Sequence, residues 1–311
     1  MSVYFIDVRA DGQGGVPVAS AEDVMVRSDQ NRTPQGTLLA ELQSAVLGKD
    51  VLFGTHGFHV NRDNGMDDLT HWTKWLQLGP NGVFVGVLWP GDSRWVPYVD
   101  YPVEGDDAIQ SGKLLARYLA ANLMGAASWS FTSHSLGARV VLQAIESLQG
   151  NAKLKSVTLM AGAIDDSCLT GEYGDAAKSM KRVSVLASKE DDVLKLAFPA
   201  GNLVFGLIRP GEAFWHGAIG RYGPNPSDQP GALMGTPIVP DKWDFGHFSY
   251  INCGGLAVNP AGEAVPFPPA AAVIPSDPNA AKPAGALDAN GKDISNWRQA
   301  LSAEYVSLRT T

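Results

Sequence analysis

The sequence predicts an α/β fold in which a mostly parallel central sheet carries helices on both faces. Short apolar runs alternate along the chain with longer helical patterns, which is typical of parallel strands joined by crossover helices. The run at residues 51–55 is apolar on both faces, as a central parallel strand requires. At 311 residues, the chain is long enough to bury a large core in one domain.

The strands are predicted at the short apolar runs that separate the helical patterns. In chain order they are residues 3–8, 51–55, 83–88, 129–132, 156–160 and 183–187.

Helices are predicted where apolar residues recur every three or four positions. Residues 107–123 carry such a stripe, formed by Leu115, Tyr118, Leu119 and Leu123. Residues 135–148 carry another, formed by Ala138, Val141, Leu142, Ile145 and Leu148. Near the C-terminus, Asp293 is predicted to cap a helix whose buried side is formed by Ile294, Trp297, Leu301, Tyr305 and Leu308.

The domain prediction is one α/β domain over residues 1–311, with its core at about 1–255. Residues 196–235 are rich in glycine, proline and aromatic residues, and we expect either a cap or pocket insertion there or an extended surface loop. Residues 256–311 form a predicted C-terminal extension that is rich in alanine and proline before its terminal helix.

The charge balance argues against some classes of partner. The net charge of −8 and the lack of a basic run disfavour nucleic-acid binding, which needs clustered lysine and arginine. No apolar run is long enough for a membrane span. The N-terminal residues lack the features of a signal peptide, so we expect a cytoplasmic protein. Cys168 and Cys253 are predicted to be buried thiols unless the fold brings them together to pair.

The strongest motif is the stretch WSFTSHSLGA, in which a predicted strand runs directly into a predicted helix. At the turn, Ser135 has a small residue two positions before it and two positions after it, Ser133 and Gly137. This pattern is typical of a nucleophile elbow, in which a strained backbone exposes a serine and leaves no room for larger neighbours. The helix N-terminus behind Ser135 would also favour developing negative charge. We therefore predict Ser135 as a nucleophile.

A second motif, THGF, follows the strand at residues 51–55. A glycine just past a strand end lets the backbone turn sharply, so that a following N–H can face the nucleophile. With both motifs in this order, the chain resembles the α/β-hydrolase superfamily on its esterase and lipase side. The resemblance implies an oxyanion hole formed by the backbone amides of Phe58 and Leu136. We interpret His56 as a residue that braces the loop.

The resemblance also implies an acid after a late strand and a histidine near the end of the core. Asp191 follows the strand at residues 183–187 and precedes apolar residues, as in relatives. Asp192 is the near alternative. Asp165 and its neighbour Asp166, after the preceding strand, are more distant alternatives.

Two histidines compete for the role of base. His247 stands in DFGHFSY, which resembles the surroundings of the hydrolase histidine, and His216 stands in FWHG. The chain order Ser135, Asp191, His247 matches the order of the family, and we predict these residues as the triad.

Two other arrangements of residues compete with this triad. Gly91-Asp92-Ser93 together with Asp244 and His247 resembles the end motifs of GDSL-type esterases. However, the Gly-Asp-Ser block lies mid-chain here, and the sequence lacks that family's Asn-Asp block. His56, His59 and Asp63 could approach one metal ion without completing a ligand set. We expect neither a metal nor a cofactor.

The function implied by the resemblance is hydrolysis of a carboxylic ester through an acyl-enzyme intermediate. The expected partner is a small-molecule ester, and the oligomeric state is left open. The aromatic stretch at residues 95–101 and residues 196–235 are predicted to shape an apolar pocket. The alternatives are a thioesterase, an amidase or an acyltransferase with the same triad, or a non-catalytic binding module on the hydrolase fold.

Overall fold

The computed structural model describes most of the chain. The described residues are 2–10, 15–92, 101–196, 217–225, 230–233, 237–251, 274–283, 285–287, 290–294 and 296–310, with the side chains of 101–104 left out. Of the predicted aromatic stretch at 95–101, only the backbone of Tyr101 lies within these residues. Most of the segment at 196–235 and the first part of the C-terminal extension lie outside them.

The sheet of the described structure has eight strands in the order β2-β1-β4-β3-β5-β6-β7-β8. Only the pair β1–β2 is antiparallel, and every other neighbouring pair is parallel. The strands are β1 Tyr4–Asp7, β2 Met25–Ser28, β3 Asp50–Thr55, β4 Gly82–Leu88, β5 Ser128–His134, β6 Leu154–Met160, β7 Arg182–Ser188 and β8 Ile238–Val239. The predicted fold class, an α/β-hydrolase fold with a mostly parallel sheet, is confirmed.

Helices connect the strands and pack around the sheet. They are α1 Leu38–Val46, α2 Arg62–Thr73, α3 Tyr101–Asn122, α4 Gly137–Ser147, α5 Gly174–Ser179, α6 Ile219–Tyr222 and α7 Trp297–Thr310. The apolar stripes predicted for residues 107–123 and 135–148 are buried, since they form the inner faces of α3 and α4. Within the described ranges, no helix combines the length and apolar character needed to cross a bilayer.

The centre of the sheet is the most buried part of the molecule. β3 and β5 are neighbours there, and their Phe53 and Phe131 rings lie 5.4 Å apart between centroids. Both rings and Leu52 are essentially inaccessible to water. Apolar side chains on both faces of β3 explain why it reads as a continuous apolar run. In β5, apolar Trp129 and Phe131 alternate with buried Ser130 and Thr132.

The structure differs from the sequence predictions at the short or polar elements. Strands β2 and β8 were not predicted, because one is interrupted by polar residues and the other has only two residues. The predicted cap at Asp293 is wrong, since α7 begins at Trp297 and Asp293 instead pairs with Lys282 and Arg298. Leu308, expected on the buried side of this helix, is exposed.

Helix α7 is joined to two other parts of the molecule through one hydroxyl group. Ser302 Oγ accepts a hydrogen bond from the Trp72 indole of α2 at 3.1 Å. The same oxygen lies 2.8 Å from the backbone carbonyl of Tyr250. All three residues are buried, so these polar groups depend on each other rather than on water.

Ser302→Ala is therefore expected to destabilise the fold by about 1–3 kcal/mol, because it leaves a buried indole N–H without its acceptor. Urea unfolding followed by circular dichroism measures this change. Ser179→Ala is the matched control, since Ser179 Oγ bonds to the Asp175 carbonyl at an exposed site. Equal unfolding midpoints for the two variants would contradict the expectation.

Candidate active site

Ser135 lies at the carboxyl edge of the sheet, immediately after β5. Its backbone φ is 54°, in the left-handed region that residues with a side chain rarely adopt. The Ser135 N–H donates to the Met160 carbonyl at 3.0 Å, and its carbonyl accepts from the Ala163 N–H at 3.1 Å. These bonds hold the strained turn against the end of β6, and the serine is almost fully buried.

Two glycines allow backbone segments to approach this turn closely. A Cβ at Gly57 would lie 2.7 Å from the Cβ of Ser135, and a Cβ at Gly137 would collide with the backbone carbonyl of His56. Ser133, the small residue on the strand side, is completely buried. The turns after β3 and β5 therefore pack backbone against backbone, which residues larger than glycine at these two positions would prevent.

His247 reaches this edge from a single 3₁₀ turn, His247–Ser249. Its Nε2 lies 2.8 Å from Ser135 Oγ, and its Nδ1 lies 2.8 Å from Asp191 Oδ2. Because a carboxylate can only accept, Nδ1–H donates to Asp191, and Nε2 is left to accept from the serine hydroxyl. The structure thus brings together the three residues that the sequence predicted as a triad.

Both carboxylate oxygens of Asp191 are engaged. While Oδ2 faces His247, Oδ1 accepts a hydrogen bond from the Leu194 N–H at 2.9 Å and so caps the helical residues 192–196. The Arg221 guanidinium donates to the Asp191 backbone carbonyl at 2.7 Å. The orientation of this buried carboxylate is therefore fixed from three sides. Nothing in the sequence pattern indicated Arg221.

His134, which precedes the serine, supports the loop that carries His247. Its Nε2–H donates to the His247 backbone carbonyl at 2.7 Å, and the two rings lie 4.8 Å apart between centroids. Burial, aided by the neighbouring His247, lowers the pKa of His134 to about 3. The side chain is therefore neutral near pH 7. This role of His134 was not predicted, although the residue lies inside the elbow motif, directly before Ser135.

His56 is also buried and neutral. Its Nδ1–H donates to the Gly57 carbonyl at 2.9 Å, and its Nε2 accepts from the Trp89 N–H at 3.4 Å. Burial lowers its pKa to about 3. With both ring nitrogens bonded to backbone groups, the imidazole braces the turn between β3 and α2.

The backbone amides of Phe58 and Leu136 are the two predicted oxyanion donors. Leu136 directly follows the serine and precedes the first residue of α4. Phe58 follows Gly57, whose backbone touches the serine. Neither amide N–H donates to a group within the described residues, which leaves both available to a ligand.

The structure places the alternative carboxylates elsewhere. The Asp192 side chain is 77% exposed and lies 3.9 Å from Lys195. Asp165 Oδ1 accepts from the backbone and hydroxyl of Ser167 in a local turn, and Asp166 is its neighbour. Neither Asp192 nor Asp165 is within hydrogen-bond distance of His247.

Other candidates can be placed only in part. His216, the competing base, and Ser93 of the Gly-Asp-Ser block lie outside the described residues, as does Cys253. Cys168, the one cysteine among the described residues, is a buried free thiol. In the part of the chain that the structure covers, no cluster of histidine, cysteine and acidic side chains could hold a metal ion.

A cavity of about 590 Å³ lies beside His247. Phe248 and Ile294 give it apolar walls, while Glu190, Asp192 and Asp244 add acidic groups. His247 and Gly246 are among the residues that line it, whereas Ser135 is not.

A comparison with known protein families identifies the family of the chain. Residues 33–212, more than half of the chain, match the model of a family described as α/β hydrolases of unknown function, DUF900. The chain belongs to this family. No curated protein matches the sequence of this α/β hydrolase.

Several solved structures resemble parts of this hydrolase. Phospholipase PlaB from Legionella pneumophila is 16% identical, with a TM-score of 0.29 over 45% of this chain and 38% of its own. The Pyrococcus furiosus esterase Pf2001 is 15% identical, with a TM-score of 0.29 over 52% and 71%. Esterase B from Lactobacillus rhamnosis is 13% identical, with a TM-score of 0.32 over 67% and 69%. These similarities are too partial to indicate what the hydrolase acts on.

The buried neutral histidine beside His247 predicts a pH-dependent stability. Between pH 6.5 and about 3, the unfolded chain binds a proton at His134 that the folded chain does not. The stability that neutral His134 contributes is therefore fully present above pH 6.5 and is lost as the pH is lowered through this window.

His134→Gln keeps a donor for the His247 carbonyl and removes the titration. Its free energy of unfolding is expected to fall less steeply with decreasing pH than that of the wild type, by up to about 1.4 kcal/mol per pH unit. Urea unfolding at a series of pH values from 7 to 4 measures both slopes. Identical slopes for the two proteins would show that His134 is not the buried neutral group described here.

Proposed function

We propose that this α/β hydrolase cleaves carboxylic esters of small molecules through a Ser135–His247–Asp191 triad. The observation that carries the proposal is the continuous chain of two hydrogen bonds, each 2.8 Å long, from the serine hydroxyl to the buried carboxylate. Serine, base and orienting acid within hydrogen-bond reach are the arrangement that nucleophilic acyl transfer requires.

In the proposed reaction, Ser135 Oγ attacks the ester carbonyl carbon while His247 Nε2 takes the hydroxyl proton. The carbonyl π electrons move to oxygen and form a tetrahedral oxyanion. Collapse of this intermediate breaks the ester bond, and the alcohol leaves with the proton that His247 returns to it. Water then repeats the sequence on the acyl-serine and releases the acid. Asp191 accepts the hydrogen bond from His247 Nδ1–H and so holds the imidazole in the correct tautomer.

The oxyanion is proposed to bind the N–H groups of Phe58 and Leu136. The close contact of Gly57 with Ser135 supports this role, because it holds the turn after β3 directly over the nucleophile. Each such donor is typically worth about 10²–10³ in kcat.

The first test replaces the nucleophile. Ser135→Ala is expected to lower kcat for p-nitrophenyl esters by about 10⁴-fold or more while the fold is retained. Mass spectrometry of wild-type protein labelled with a fluorophosphonate should locate the adduct on Ser135. An adduct on Ser93 would instead favour the Gly-Asp-Ser arrangement, and a fully active Ser135→Ala variant would overturn the proposal.

The second test separates the adjacent aspartates. Asp191→Asn keeps an oxygen to cap residues 192–196 but places an amide N–H toward His247, which favours the wrong imidazole tautomer. We expect kcat to fall by about 10⁴-fold with little change in stability. Asp192→Asn is the matched control and should keep near-normal turnover, because its side chain points into solvent.

Steady-state kinetics and thermal unfolding of both variants check this expectation. Normal turnover in Asp191→Asn would remove Asp191 from the triad. If Asp165→Asn or Asp166→Asn is then inactive, the acid follows β6 instead of β7.

A further inference from the structure

A buried cluster of charged side chains lies where β1 ends, on the same edge of the sheet as Ser135. Asp7 is completely buried, and its Oδ2 accepts from Arg27 Nε at 2.5 Å. Arg62 Nε lies 2.8 Å from the same oxygen. Asp7 Oδ1 accepts from the Arg9 backbone N–H at 3.1 Å. This carboxylate anchors the turn that leads from β1 into Arg9.

The Arg9 side chain extends from this turn to the segments that follow β3 and β4. Its Nη1 donates to the Val60 carbonyl at 3.2 Å and to the Trp89 carbonyl at 3.1 Å, while Nη2 pairs with Asp92. The side chain is only 7% exposed. A buried guanidinium is costly unless it is paired and its donors are satisfied, and these contacts fulfil that requirement.

The segment that Arg9 contacts is the turn that carries the Phe58 amide. Val60 forms an isolated antiparallel bridge with Gly91, and the His59 N–H donates to the Gly91 carbonyl. At the start of α2, Arg62 Nη2 donates to the carbonyls of Arg9 and Ala10, both at 3.3 Å. The turn and the segment after β1 therefore hold each other from both sides.

Phe58 lies between two fixed points of this turn. On one side, the Gly57 backbone rests against Ser135. On the other side, the Val60 carbonyl is held by Arg9. A shift of the Val60 end would rotate the peptide planes between these points and change the direction of the Phe58 N–H.

We propose that Arg9 is a positioning residue that keeps the Phe58 N–H directed at the reacting oxygen. The inference rests on the proposed ester hydrolase activity. Arginine suits the task because its planar guanidinium presents several donors in a fixed geometry and can bond two carbonyls and a carboxylate together. It also gives a role to Asp92, which the triad leaves without one.

The test compares Arg9→Met, Arg9→Lys and Arg27→Met with the wild type. Arg27 is the matched control, because it is about as buried as Arg9 and its guanidinium also pairs with a carboxylate, that of Asp7, which keeps Arg62 as a second partner. Its guanidinium reaches the Arg32 carbonyl instead of the Val60 turn. Titration to completion with a fluorophosphonate counts the working sites, so that kcat is expressed per site and losses through misfolding are removed.

Arg9→Met is expected to lower kcat per site by about 10- to 100-fold with KM within about twofold, because an oxyanion donor acts mainly in the transition state. Arg9→Lys replaces the planar guanidinium by a single ammonium group, so its kcat per site should lie between those of Arg9→Met and the wild type. Arg27→Met should keep kcat per site within about twofold of the wild type, even if its unfolding temperature falls as far as that of Arg9→Met.

A second readout uses a trifluoromethyl ketone, to whose carbonyl carbon Ser135 Oγ adds while His247 takes the proton and the carbonyl oxygen becomes the oxyanion. Its inhibition constant should rise in Arg9→Met by the same factor by which kcat/KM falls. A variant that loses only stability would not show this parallel.

Unchanged kcat per site in both Arg9 variants, or an equal loss in Arg27→Met, would overturn the inference and leave the ester hydrolase proposal standing. If Arg9→Met does not fold, Arg9→Lys decides by the same two readouts. A wild type that neither hydrolyses esters nor reacts with the fluorophosphonate overturns both proposals.

Discussion

The structure depends on one close backbone contact, between the strained turn at Ser135 and the turn that follows β3. Ser135 holds a left-handed backbone conformation, and Gly57 and Gly137 remove the side chains that would separate the two turns. A conformation of this kind costs on the order of 1–3 kcal/mol and persists only where the surroundings determine it. Here the buried ends of β3, β5 and β6 provide those surroundings.

The buried polar groups around this contact have fixed hydrogen-bond partners. His134 and His56 stay neutral because burial lowers the pKa of each, and each donates to a backbone carbonyl of a functional turn. Asp191 is buried with both oxygens bonded. In a site with little water, these fixed dipoles act more strongly than they would in solvent and need no rearrangement during a reaction.

The site is also assembled from distant parts of the chain. The loop that carries His247 is backed by α7 through the bond between Ser302 and the Tyr250 carbonyl. The Asp191 turn is held by Arg221. On the opposite side, Arg9 ties the first strand to the turn after β3. Elements from both ends of the chain thus fix side chains whose relative positions must agree within fractions of an ångström for the proposed acyl transfer.

The sequence alone determined the α/β-hydrolase fold and the location of the elbow, because continuous apolar runs and small residues around a serine are local consequences of buried strands and a strained turn. It could not predict β2 and β8, whose few residues carry no clear period, or the start of α7, which long-range pairing of Asp293 decides. The apolar residues that follow favoured Asp191 over Asp192, but the sequence did not show which of the two side chains faces the histidine. Only the tertiary structure decided that Asp191 faces His247, that His134 supports the same loop and that Arg9 reaches Val60, because such hydrogen bonds join residues far apart in sequence and leave no local periodicity.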